Sequence, residues 1–381
     1  MHPPPSSDFP IRPQGRGALL FQGKQHRYEY LRTLLEHEDF SPTAVARRKP
    51  LRGDEPTCVV MLRRIVMPPR KERRQRALEE VRLACHLDHP NIARVFGLEE
   101  HEGRPYVVTE YVAGCFLDTA IAAALLERRK LSPAFACYIA AEVADALHHA
   151  WNCKGEGDRP LHVVHRAVSP MSIRLGRQGE VKLTDFGVAW SELTGRVHTA
   201  PRVLRADLAY AAPEIMRFHP ADGRADLFSL GMVLLEMLAG RYPLDPPDLA
   251  LPQDASPEVV RYNAITQSER TTWASVGQLA ERILHFDSED VERMASGIPA
   301  QLKHILHKAL RADPGDRYQS GAELSADLRS YLHQDRPFGK REAATEVISL
   351  ICNKTSPHAT HAFPTEKGVV PVPEEDVADE M

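Results

Sequence analysis

Residues 163–175 read VVHRAVSPMSIRL, and this stretch decides the fold. An apolar lead, Val163-Val164, runs into His165 and Arg166; Ala167 follows, and Ser172 stands five residues beyond it. Directly after, SIRLGRQGEVKLTDFG predicts a short β-hairpin ending on Asp185-Phe186-Gly187. On the N-terminal side, SPAFACYIAAEVADALHHAWN predicts a helix with Ser132 as N-cap, Pro133 at the first helical position and apolar residues at helical spacing through Leu147. On the C-terminal side, ADLFSLGMVLLEMLAG is apolar on nearly every side, which predicts a helix buried through the middle of a domain. PAQLKHILHKAL and SGAELSADLRSYLH predict further amphipathic helices.

Farther out the periodicity changes. From Tyr28 to Val66, YEYL, TAVAR and TCVVMLRRIV read as short strands. PRKERRQRALEEVRLACHL then predicts a helix with Ala77, Leu78, Val81, Ala84 and Cys85 on one stripe, and ARVFGLE and PYVVTEYV predict two strands around the turn EHEGR. Residues 1–26 are rich in Pro, Gly and Arg without an apolar period, which predicts a flexible arm. Within them GRGALLFQG has glycines but no strand ahead of it, so it does not make a phosphate loop. Residues 336–381 form a tail with one short helical piece, REAATEVISLIC, and an acidic end. No internal repeat is visible.

A chain of 381 residues with 43% apolar and 26% charged residues buries one large core or two moderate ones, which excludes disorder throughout. A net charge of −4 argues against a whole-molecule nucleic-acid binder, because neutralising phosphates needs concentrated positive charge. The six cysteines lack a CxxC pair and read as buried or inert thiols. The start, MHPPPSSDFP, has no apolar signal-peptide core, and no run reaches the ~18 apolar residues of a membrane span. The expectation is a soluble, cytoplasmic protein with no nucleic-acid or membrane partner.

In chain order the sequence holds Glu80 ahead of HPNIARVF, then TEYVAG, His165-Arg166, Asp185-Phe186-Gly187 and Ala212-Pro213-Glu214, followed by Asp226 within ADLFSLG and Arg317 within DPGDRYQS. Each tripeptide alone is weak, but the ordered series is specific. The chain resembles the serine/threonine protein kinases, most closely bacterial ones whose catalytic loop reads HRDVSPSN. The resemblance covers residues 28–335. It implies an α+β, two-lobed protein-kinase-like fold: a small β-rich lobe with one main helix at 27–112, a larger helical lobe at 113–335, and a cleft between them.

It also implies where the chemistry would sit, and there the sequence departs from the pattern. The family's catalytic Asp, which takes or orients the substrate hydroxyl proton, is Ala167; its metal-binding Asn is Ser172, a weaker oxygen donor. The counterpart of the glycine loop, LLEHEDFSPTAVAR, has no glycine and carries Glu36, Glu38 and Asp39. Arg63 matches the strand lysine best, with Met61 the other candidate, and is expected to pair with Glu80. Thr109, Glu110 and Val112 form the hinge that lines a degenerate nucleotide cleft. Arg174 stands where the family places an apolar side chain under the adenine ring. Asp185 is left as a lone, weak Mg²⁺ ligand. Asp207 replaces a threonine that supports the catalytic Asp, and Ser169 a lysine. By resemblance, Glu214 and Arg317 form a buried ion pair, Asp226 braces the catalytic loop, and Ala84, Val95, His165 and Phe186 stack into a column joining the lobes.

These departures predict a catalytically inactive pseudokinase serving as a signalling, regulatory or scaffold module that binds other proteins, such as an active kinase or its substrate, with no cofactor. Two alternatives stay open on the sequence. One is an active serine/threonine kinase using ATP and Mg²⁺ with a base supplied by Asp185 or the LLEHED segment; the other is nucleotidyl transfer on the same fold. Candidate contact surfaces are the basic run PRKERRQR and the long segment 244–300, which carries Tyr262 and Trp273.

Overall fold

The computed structural model describes residues 16–34, 43–53, 55–64, 78–79, 81–186, 209–245, 276–334 and 337–352. Glu36, Glu38, Asp39, the run 70–76, Glu80, Asp207, Tyr262, Trp273 and the acidic end lie outside them. The small lobe is an antiparallel sheet of β1 (Leu19–Gln22), β2 (His26–Leu34), β3 (Thr43–Pro50), β4 (Cys58–Arg64), β5 (Val95–His101) and β6 (Arg104–Glu110), in the order β1-β2-β3-β4-β6-β5. Side-chain alternation sorts β4 cleanly. Val60 and Leu62 join Phe21, Tyr28, Ala46 and Val108 in one apolar cluster, so Met61 and Arg63 point to the opposite face.

Strand β1 lies inside the stretch whose sequence predicts a flexible arm. Its adjacent residues Leu20 and Phe21 are both buried, because the register with β2 shifts between Leu19 and Phe21. Such a bulge turns two neighbouring side chains to the same face and erases the period-two pattern that marks a strand. The helix before HPNI, α1, is helical at 78–79 and 81–84 among the described residues. Its buried face is Glu79, Leu83 and Ala84, continued by Leu87, whereas Leu78 and Cys85 are exposed. The expected stripe through Leu78, Val81 and Cys85 is therefore turned by about one residue, or about 100° on a helix of 3.6 residues per turn.

The lobes meet at a second sheet, β7 (Gly114–Phe116), β8 (Ile173–Gly176) and β9 (Val181–Leu183), in the order β7-β8-β9. Behind it, Leu183 exchanges backbone hydrogen bonds with Asn91 and Ala93 (2.8 and 2.9 Å), tying the segment leading into β5 to the large lobe. The large lobe packs α2 (Leu117–Leu126), α3 (Pro133–Asn152), α4 (Pro213–Met216), α5 (Gly223–Ala239), α6 (Val276–His285), α7 (Ser288–Met294), α8 (Ala300–Ala309) and α9 (Gly321–Leu332). Helix α3 starts as its sequence dictates: Pro133 opens it and the Ser132 hydroxyl accepts from the Phe135 amide, satisfying one of the orphan donors of the first turn. Helix α5 is buried from Ala225 to Leu238, as its unbroken apolar run requires.

Helix α10 (Lys340–Cys352) belongs to the large-lobe core, although the sequence assigns it to a tail. Ala343, Val347 and Leu350 are buried, and the preceding Phe338 lies 6.2 Å from Phe135 and 5.9 Å from Tyr138. The Ser132 hydroxyl donates to Glu346. Gly179, at φ 83°, turns the β8–β9 hairpin beneath α10; a Cβ there would collide with the Lys340 carbonyl. Among the described residues no helix is long and apolar enough to cross a membrane. Cys115 and Cys137 are buried free thiols, and burial pushes both up to about 12.

Candidate functional site

The loop 163–175 is held by the helix behind it. Asp226, in the first turn of α5, accepts the backbone N–H of His165 at 2.7 Å and of Arg166 at 2.8 Å. These bonds fix Arg166 in the left-handed region at φ 66°, a conformation a non-glycine residue holds only when its surroundings compel it. Burial raises the Asp226 carboxyl to about 7, outweighing the two amide donors that favour its charge. His165 is fully buried, and burial lowers its imidazole to about 4. It donates from Nε2 to the Thr184 carbonyl at 2.7 Å and accepts the Ala167 amide on Nδ1 at 3.2 Å, so both nitrogens of the neutral ring are engaged. Its ring meets Phe186 edge-on at 4.5 Å, and Ala84 and Val95 pack into the same core.

Ala167 presents a methyl group at the next position, where no proton can be accepted. Ser172 is buried, with its hydroxyl consumed locally: it accepts the Ser169 amide and donates to the Ser169 carbonyl, both at 3.0 Å. The Ser172 carbonyl takes the Thr184 amide at 2.8 Å and the Thr184 hydroxyl at 3.1 Å. The serine thus closes a turn.

Asp185, at φ 61°, faces the cleft with its side chain half exposed and meets Arg63 at 3.6 Å. Of the two candidates on β4 it is Arg63 that reaches across the cleft; Met61 sits in register with Thr109. The expected partner, Glu80, lies outside the described residues, and the buried carboxylate of described α1 is Glu79. One carboxylate engaged by a guanidinium is a poor donor set for a cation that demands a near-octahedral oxygen shell. Among the described residues, no three His, Cys, Asp or Glu side chains converge as a metal site.

The hinge carries contacts that sequence reasoning missed. Glu110 turns to Lys182 on β9, its two oxygens 2.8 and 2.9 Å from Nζ, and takes the Arg94 amide at 3.1 Å. Arg174 is buried on β8, paired in register with Phe116 of β7. Its guanidinium lies 4.6 Å over the Phe116 ring and donates from Nη2 to the Val112 carbonyl at 3.2 Å. An arginine facing an aromatic across a two-strand register was the available signal for this contact. Deeper in the large lobe, Arg317 grips Glu214 with two bonds of 2.8 Å. It also donates to the carbonyls of Arg311, Ala312 and Arg224.

Known proteins share this architecture and sequence. The chain is 32% identical over 257 residues to the tyrosine-protein kinase MasK of Myxococcus xanthus, covering 67% of this chain and 35% of that protein. It is 28% identical over 283 residues to the serine/threonine-protein kinase PrkC of Bacillus subtilis, covering 73% and 38%. The chain thus spans under two-fifths of the length of these relatives. In fold it is similar to the PknI kinase domain of Mycobacterium tuberculosis, with a TM-score of 0.50 at 21% identity over 83% of this chain and 98% of that one. The model of the protein kinase domain matches residues 54–327, spanning β4, the hinge, the 163–175 loop and the Glu214–Arg317 pair, and the chain therefore belongs to the protein kinase family.

Proposed function

We propose that this kinase domain does not transfer phosphate and serves as a protein-binding regulatory or scaffold module. The observation that carries the reading is the 163–175 loop: its backbone is anchored on Asp226 and His165, yet Ala167 offers no proton acceptor. Three further features support it. The Ser172 hydroxyl is spent in its own turn, Asp185 faces a guanidinium, and a buried arginine stands where the family resemblance puts the adenine floor. Phosphoryl transfer rests on positioning and charge stabilisation, so losing the base, the second metal ligand and the glycine loop together removes most of what the protein supplies. The residues present do not fit Mg²⁺ and ATP, and the reading assigns no cofactor. Its ligands are other proteins, such as an active kinase or a kinase substrate.

A second reading, an active serine/threonine kinase with a displaced base, draws on the family's named kinases and on the His165–Phe186 contact that keeps the interlobe column closed. Thermal melting separates the two. A ligand at a hundred times its Kd stabilises by ~2.7 kcal/mol, so ATP with Mg²⁺ would raise the Tm by several degrees if it bound. No shift is expected; a Mg²⁺-dependent shift would overturn the cofactor-free reading.

A further inference from the structure

We infer that Arg174 is a built-in occupant of the base position of the cleft: its guanidinium lies over the Phe116 ring and donates to the hinge carbonyl of Val112, filling the space that a purine would need. This rests on the proposed loss of nucleotide use and names the residue that enforces it at the base end.

Three features of Arg174 meet at one point. It lies on β8 at the position where an apolar side chain floors the cleft in the family, and it is buried. Its planar group lies 4.6 Å over Phe116, the next strand's residue in direct register, as a flat cation stacks on an aromatic face. Nη2 donates to the Val112 carbonyl, a hinge acceptor, at 3.2 Å. A guanidinium is planar, carries N–H donors along its edge and cannot lose its proton, so it reproduces the shape and donor edge of an aminopurine while remaining covalently attached. A free purine would have to expel it. That would strip a buried charge of its carbonyl and ring contacts, a cost charged directly against affinity.

The arrangement joins the hinge to strands β7 and β8. The neighbouring hinge carboxylate, Glu110, pairs with Lys182, which is in register with Arg174 on the adjoining strand β9. The phosphate end depends on other residues, Arg63 and Asp185. A probe without phosphates therefore isolates the base end, where Arg174 sits.

Adenosine, which carries no phosphate, is titrated by calorimetry into the full chain and into R174L, which restores an apolar floor, with R174K as a control that keeps charge but loses planarity. The expected result is no saturable heat for the wild-type chain, saturable binding by R174L at least about tenfold tighter than any wild-type signal, and R174K in between. R174M, which keeps the unbranched stem, repeats the test should R174L melt without cooperativity. Failure of both folded variants to bind, or wild-type affinity equal to theirs, overturns the inference. Adding labelled ATP and Mg²⁺ to R174L keeps the two proposals apart: adenosine binding without transfer upholds both, whereas transfer upholds the plug and overturns the claim that the 163–175 loop, with Ala167, cannot support transfer.

Discussion

Among the arginine–carboxylate pairs of the described residues, two stand in contrast. Arg317 and Glu214, at the base of the large lobe, are 0% and 7% exposed and share two bonds of 2.8 Å. Arg63 and Asp185, in the cleft, are 48% and 50% exposed and approach no closer than 3.6 Å. The first pair is the buried ion pair that the family resemblance leads one to expect. In the second, the family resemblance would set a lysine at the position of Arg63 and a metal against Asp185. On the proposed reading, the buried pair serves the fold, while in the cleft Arg63 and Asp185 engage each other where a ligand would be held.

The largest effect that would break this comparison lies at the brace. Glu214→Ala strands a fully buried guanidinium and is expected to cost ~3–5 kcal/mol by urea unfolding. Replacing both partners together, Glu214→Leu with Arg317→Met, should cost less than Glu214→Ala alone, because no charge is left unpaired. A loss under ~1 kcal/mol for Glu214→Ala would deny the pair its structural role.

Next in size are the pH slopes of Asp226 and His165, which oppose one another. The Asp226 carboxyl is raised to about 7 by burial, so its contribution is fully present below its unfolded pKa near ~3.9 and is lost as pH rises toward 7. The His165 ring is lowered to about 4 by burial, so its contribution is present above ~6.5 and is lost as pH falls toward 4. Between those limits the two partly cancel, each slope reaching at most ~1.4 kcal/mol per pH unit. Asp226→Asn should therefore leave stability rising with pH across that window, and His165→Phe should leave it falling. Identical slopes for the two variants would show that these buried groups do not titrate as described.

The smallest effect belongs to the cleft pair. Arg63→Ala should change stability by less than ~1 kcal/mol, since exposed pairs are worth little, and the difference should shrink in high salt. A loss comparable with that of Glu214→Ala would erase the contrast between the two regions.

What the sequence revealed follows the same division. Cap, proline and apolar run placed α3 and α5, because each signal there is local and unambiguous. The motif residues Asp226, Glu214 and Arg317 were legible because their type and order suffice. Strand β1 was hidden by its bulge. The face of α1 was misread because Leu78, Val81, Leu83, Ala84 and Leu87 support two neighbouring stripes, and tertiary contact chose the one carrying Glu79. In the cleft the departures from the family pattern could be seen but not what those residues touch. That Arg174 reaches Val112, Lys182 reaches Glu110 and Arg63 reaches Asp185 depends on strand register and lobe closure, which no local pattern encodes.

The most direct test of the central claim restores the two missing side chains of the 163–175 loop and follows transfer from labelled ATP with Mg²⁺. Were the absent proton acceptor the sole defect, Ala167→Asp would recover ~10²–10⁴ in rate. Residues that act as a unit do not return activity singly. Both Ala167→Asp and the double variant Ala167→Asp with Ser172→Asn are therefore expected to leave autophosphorylation and transfer to generic protein substrates at background. Robust transfer by the double variant would show a cleft that still binds ATP productively, and would contradict the account.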